Sequence, residues 1–213
     1  MNHVIHIKFQ EVIGQIKPVH GVNNGPLSGS ETKDLSRYFR LGGIPLIRFH
    51  DTDYPNPRQV DIPKIFPDFS KDPADAGSYD FRHTDVHMAA AYETGAKVLY
   101  RLGTSIEHMK HKVDIYPPKD YGKWAQICIG IIRHYTQGWA DGFTFDVPYW
   151  EIWNEPDNNL TKPDMWIGEP DTYYRLYETA AKVIKAAFPS IKVGGYAGCT
   201  IHNEAFREGF LRH

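Results

Sequence analysis

Apolar and polar positions along this chain follow two periods. Short apolar runs bounded by Gly, Pro, Asn or Asp read as strands, and longer stretches with apolar residues three and four apart read as helices. Ile13 to Val19 reads as a first strand, followed by a Gly-, Asn- and Pro-rich loop from Gly21 to Gly29. Asp34 to Leu41 reads as a helix stopped by Gly42-Gly43, and Pro45 to His50 as a second strand. Asp51 to Asp80 is rich in proline and aspartate, too polar and too broken for a core element, and reads as one long loop. A helix from His83 to Glu93, ended by Gly95, leads into a third strand from Lys97 to Leu102. Tyr121 to Tyr135 is strongly periodic, with Trp124, Ile127, Cys128, Ile131 and Ile132 on one helical face. A fourth strand begins at Tyr149. Asp171 opens a helix that runs to Phe188 and stops near Pro189. Ile191 to Gly195 is the fifth strand, and Asn203 to Leu211 starts another helix.

Repeated strand–helix units imply an α/β fold, a parallel sheet with helices outside it. Neither a linker nor a change in composition divides the chain, so residues 1–213 read as one domain. A (β/α)8 TIM barrel needs eight such units and typically about 250 residues. This chain supplies five, so the expectation is a barrel truncated after its fifth βα unit.

Residues 150–156, Trp-Glu-Ile-Trp-Asn-Glu-Pro, carry the most chemistry. An apolar, aromatic strand ends in an amide beside a carboxylate, and a proline stops it. Regular alternation puts Ile152 and Asn154 on one side and Glu151, Trp153 and Glu155 on the other. A glutamate at such a strand end acts as a general acid when its surroundings raise its pKa, and the neighbouring amide can hold a substrate hydroxyl. The plain alternative is a strand running into a turn. Arg48 and His50 alternate onto one face of the second strand near its C-terminal end, where active sites of such barrels lie. Glu151 projects into the barrel and needs a cationic partner, which Arg48 can supply.

These segments resemble the retaining glycoside hydrolases of the (β/α)8-barrel clan whose fourth strand ends in Asn-Glu. His20-Gly21-Val22-Asn23-Asn24-Gly25-Pro26, Ile47-Arg48-Phe49-His50-Asp51 and Ile191-Lys192-Val193-Gly194-Gly195 extend the resemblance to family 39, the β-xylosidase and α-L-iduronidase family. It covers about residues 16 to 200. The resemblance implies that Glu155 is the catalytic acid/base, that Asn154 binds the sugar 2-hydroxyl, that His50 hydrogen-bonds the sugar and that Arg48 supports the nucleophile. It implies a glycoside or oligosaccharide substrate, a β-xyloside above all, and no cofactor. The clan's nucleophile is a glutamate at the end of the seventh strand, which lies outside this chain. Glu107 and Glu204 do not stand where the family puts it. His20, Asn23 and Asn24 lie on the same rim without an assigned role.

The remaining composition sets bounds. Lys plus Arg is 24 against 26 for Asp plus Glu, a formal charge of −2, so nothing favours nucleic acid. No apolar stretch reaches the roughly 20 residues of a membrane span. The N-terminus lacks a basic segment followed by an apolar run, so the chain reads as cytoplasmic, although a trimmed signal peptide would leave no trace. Cys128 and Cys199 fit neither a metal spacing nor a disulfide framework and read as free, buried thiols. His83 and His87, with Asp85 between them, read as a solvated helix face, and His108 and His111 as loop residues, so no metal is assigned. Tyr79-Asp80-Phe81 and Trp166 read as core or as sugar-stacking aromatics. Two rivals to the glycosidase remain: a non-catalytic sugar-binding module, and a metal-dependent barrel hydrolase. Open sheet edges in an incomplete barrel make a homo-oligomer the expected protein partner.

Overall fold

A computed structural model describes residues 4–29, 33–53, 58–158, 163–199 and 203–213. In chain order, β1 is Val22–Asn23, and β2, Leu27–Ser28, pairs antiparallel with β3, Lys33–Asp34. Then follow α1 (Ser36–Leu41), β4 (Leu46–Phe49), α2 (Ile62–Ile65) and a 3-10 turn (Ala76–Ser78). The remainder is α3 (Arg82–Glu93), β5 (Lys97–Leu102), α4 (Tyr121–Gln137), β6 (Tyr149–Ile152), α5 (Pro170–Ala187), β7 (Lys192–Gly194) and α6 (Glu204–Arg212).

Five strands make one parallel sheet in the order β1-β4-β5-β6-β7. Each strand lies beside its successor in the chain, and helices form the crossovers, which is the arrangement of five consecutive βα units of a (β/α)8 barrel. The two faces differ. Ile47, Phe49, Val98, Tyr100, Leu102, Trp150 and Ile152 lie under the helices, each no more than 1% exposed. Leu46, Arg48, Leu99, Tyr149 and Glu151 alternate onto the inner face and are only half-buried.

Local chemistry fixes the helices that cover this sheet. The Asp120 carboxylate caps α4 by accepting from Lys123 N at 2.9 Å, and Gly138 ends it at φ 71°. Between them Trp124, Ile127, Cys128, Ile131, Ile132 and Tyr135 recur at helical spacing and are buried. Pro170 opens α5, and Asn203 Oδ1 caps α6 by accepting from Phe206 N at 3.4 Å. No described helix is long and apolar enough to cross a membrane.

Several readings need correction. Residues 13–19 are not a strand: they are exposed, and the first strand lies in the segment read as a loop. Val22 pairs with Ile47, so residues 13–19 precede any part of β4 that they could pair with, and Pro18 has no N–H to offer a ladder. Residues 58–80 are not one open loop. Val60, Ile62, Ile65 and Phe66 are buried and α2 forms there, while 54–57 of that stretch lie outside the described residues. His87 is not on a solvated face. It is buried, its ring edge-on to Phe49 at 4.7 Å, whereas His83 is exposed. Cys128 is buried but Cys199 is exposed. Tyr79 stacks on Phe81, and Trp166 packs edge-to-face on Trp153, in line with the core alternative for these aromatics.

Candidate active site

The C-terminal ends of β1, β4, β5 and β6 carry a dense polar cluster. Arg48 reaches from β4 to β6. Its Nε donates to Glu151 Oε2 at 2.9 Å, and its Nη2 donates to the same oxygen at 2.5 Å and to Asn154 Oδ1 at 2.7 Å. Its Nη1 donates to Asn23 Oδ1 at 3.4 Å. Arg48, Glu151 and Asn154 therefore meet on the inner face, and simple alternation fails at Trp153. That residue takes φ 67°, a left-handed conformation, which turns its indole to the helix side against Trp124 and Trp166.

Left-handed non-glycine residues gather here. Asn24, Asp51, Trp153 and Glu155 have φ of 66°, 52°, 67° and 47°. Each such residue costs on the order of 1 kcal/mol and persists only where surrounding contacts hold it. Asn24 is held by its N–H to Arg48 O at 2.7 Å and by its Nδ2 to Asp51 O at 3.1 Å. Asp51 Oδ1 accepts from Ile106 N at 2.7 Å.

His50 is buried, with Nε2 at 3.3 Å from Asp51 Oδ1. Burial, with the Arg101 and Arg48 cations, lowers its pKa to about 2, so the ring is neutral. A neutral ring facing a carboxylate keeps its proton on Nε2, which leaves Nδ1 an acceptor. That Nδ1 and the Nδ2 of Asn154 are buried without a hydrogen-bond partner among the described residues. Orphaned buried polar atoms are costly in a resting protein, and here two of them sit at the end of the sheet where these folds bind ligands.

Glu155 is half-buried and makes its hydrogen bonds elsewhere. Its N–H donates to Ala197 O at 3.2 Å, and Oε2 accepts from Asn158 Nδ2 at 3.3 Å. Partial desolvation, and then the Glu155 charge, pushes the Cys199 thiol's pKa up.

The arginine–carboxylate network beneath the rim was not anticipated. Arg101, wholly buried, donates from Nη2 to Asp61 Oδ1 at 2.6 Å and to Ser105 Oγ at 2.9 Å. Arg58 pairs with Asp61, Glu107 and Asp114. A charged residue inside the apolar run Lys97–Leu102 is the signal that marks Arg101 in the sequence. The Glu107 carboxylate accepts Val113 N at 2.6 Å and Asp114 N at 2.7 Å, so it clamps the loop after β5. Glu204 begins α6, exposed, with its carboxylate 3.4 Å from Arg207. His20 bonds Gly43 O at 3.0 Å, and His108 and His111 are exposed. Among the described residues no three His, Cys, Asp or Glu side chains are grouped to hold a metal ion.

A model of glycosyl hydrolases family 39 matches residues 64–213. The chain belongs to that family. Over 91 residues it is 34% identical to a β-xylosidase of Geobacillus stearothermophilus, a match covering 41% of this chain and 17% of that one. Over 112 residues it is 33% identical to a β-xylosidase of Caldicellulosiruptor saccharolyticus, covering 52% and 20%. The chain thus matches about a fifth of the length of these curated relatives. Among solved structures, a glucosidase from Croceicoccus marinus superposes with a TM-score of 0.78 at 32% identity, over 95% of this chain and 42% of that one. The family 39 enzyme from Xanthomonas axonopodis pv. citri superposes at 0.56 and 21% identity, over 89% and 37%, a likeness of fold.

Proposed function

We propose that this chain carries the acid/base half of a retaining, β-xylosidase-like glycoside hydrolase. Glu155 protonates the glycosidic oxygen as the leaving group departs, and then deprotonates the water that releases the sugar from the enzyme. Asn154 donates from Nδ2 to the sugar 2-hydroxyl, and His50 accepts a sugar hydroxyl proton at Nδ1. Arg48 binds no sugar atom in this scheme. It orients Asn154 and neutralises Glu151, so that the amide is fixed before substrate arrives. The nucleophile is a second carboxylate roughly 5–5.5 Å from the first, contributed by a part of the protein outside these residues, because Glu107 is occupied by its loop and Glu204 by a helix terminus.

The observation that supports this reading best is the pair of buried atoms without partners, Asn154 Nδ2 and His50 Nδ1, beside a glutamate that closes the same sheet end. The β-xylosidase names of two relatives favour a xyloside; the glucosidase name of a third keeps a glucoside as the alternative sugar. The test is hydrolysis of p-nitrophenyl β-xyloside, p-nitrophenyl β-glucoside and xylobiose by the complete protein, with the anomer of the first-formed sugar read by NMR. Release of the β-anomer from a β-xyloside supports the proposal. Inversion, or binding of xylobiose without turnover, defeats it.

A further inference from the structure

A cavity lies on the helix side of Trp153, behind the sheet end that carries Asn154. It has a volume of about 550 Å³ and runs under the loops that follow β4 and β5. Its walls are the rings of Phe66, Phe69, Tyr116, Trp124 and Trp153, with prolines between them. Trp153 Nε1 donates to Met165 O at 2.8 Å, so this wall is anchored. Gly103 is required here. At φ 137°, a Cβ on it would lie 3.0 Å from the Trp153 ring.

The polar inventory of this cavity is short. Ser70 is taken by Asp68, and Asp114 by Arg58. Lys119 is exposed at the edge. Thr104 is buried, 1% exposed, and its hydroxyl has no hydrogen-bond partner among the described residues. A sugar ring in such a cavity would leave several hydroxyls unsatisfied, each at a cost. A flat apolar ring system with one hydroxyl would satisfy Thr104 and bury its faces against the aromatic walls.

We propose that this cavity binds a phenolic ring system. The binding does not depend on the glycosidase reading. Isothermal titration of the complete protein with 4-methylumbelliferone and with p-nitrophenol tests it. One saturable site is expected. Thr104→Val should weaken it about five- to tenfold, the worth of one hydrogen bond. Tyr116→Ala, at an exposed rim position, should weaken it as well and provides a second variant should Thr104→Val misfold. Glu155→Gln should leave it unchanged, and xylobiose should not displace the phenol. Absence of saturable binding, equal affinity in both cavity variants, or displacement by xylobiose overturns the proposal. Phenol binding in a protein that cleaves no glycoside would remove the catalytic reading and leave this site standing.

Discussion

Arg48 and Glu151 lie 103 residues apart and meet across two strand spacings, with two guanidinium nitrogens on one carboxylate oxygen. The same guanidinium holds Asn154 Oδ1, so one ion pair sets the direction of the amide beside the proposed acid. The pair's side chains are 24% and 14% exposed, so the cost of breaking it falls below the ~3–5 kcal/mol of a fully buried pair. Arg48→Met should destabilise the fold by roughly 2 kcal/mol and weaken sugar binding, and Arg48→Met with Glu151→Leu should lose less than the two singles summed. Urea denaturation of the four proteins gives the coupling. Strict additivity would show that the contact carries no energy.

Glu155 makes a prediction that depends on the leaving group. In the complete protein, Glu155→Gln should slow xylobiose hydrolysis by a factor on the order of 10²–10⁴, the usual worth of general acid catalysis. Release of p-nitrophenol in the first turnover should fall far less, because that leaving group needs little protonation. Pre-steady-state kinetics on both substrates check this. An equal, small loss on each would remove Glu155 from the acid role.

The sequence and the structure agree where period and punctuation act together. Lys97–Leu102 and the helices opening at Tyr121 and Pro170 follow from apolar spacing closed by glycine, aspartate or proline. The ion pair of Arg48 with Glu151 was legible as well, because two opposite charges facing one closed interior have few other ways to be satisfied. Alternation broke down at Trp153, whose left-handed backbone depends on tertiary packing that no local pattern encodes. The Arg58, Asp61 and Arg101 network was invisible for a similar reason: its members come from one loop and a strand 40 residues further on, and only the fold brings them together. Residues 13–19 misled because an apolar segment was read as a strand with no partner in register.

His50 gives the protein a pH dependence of defined sign. The unfolded ring binds a proton below about 6.5, while the folded ring, held neutral by burial and then by Arg101 and Arg48, does not until about 2. The stability its neutral form contributes is whole above 6.5 and is lost as pH falls through that window, by at most about 1.4 kcal/mol per pH unit. His87, lowered to about 4 by burial, adds in the same direction. The stability advantage of the parent over His50→Gln should therefore shrink by about 2 kcal/mol between pH 7 and pH 5. Chemical denaturation at the two pH values measures it, and a constant difference would mean that the fold does not hold His50 neutral.

Residues 1–213 alone should associate and should not turn over a xyloside. Among the described residues the first sheet strand, β1, and the last, β7, each have one neighbour, and the inner face is half-open. Unpaired strand edges recruit other chains. The N-terminal segment adds to the load: Val4, Ile5, Ile7, Phe9, Val12, Ile13, Ile16 and Val19 are all at least 68% exposed, more contiguous apolar surface than a soluble monomer usually shows. Removing the chain before Lys17 should lower light scattering while shifting unfolding stability by less than about 0.5 kcal/mol, because residues 4–16 are exposed along their length. A large loss of stability would mean that it docks on the sheet instead. Activity toward p-nitrophenyl β-xyloside should be absent before and after the truncation. A monodisperse, cooperatively folded monomer that cleaves the substrate would instead require a nucleophile within these residues.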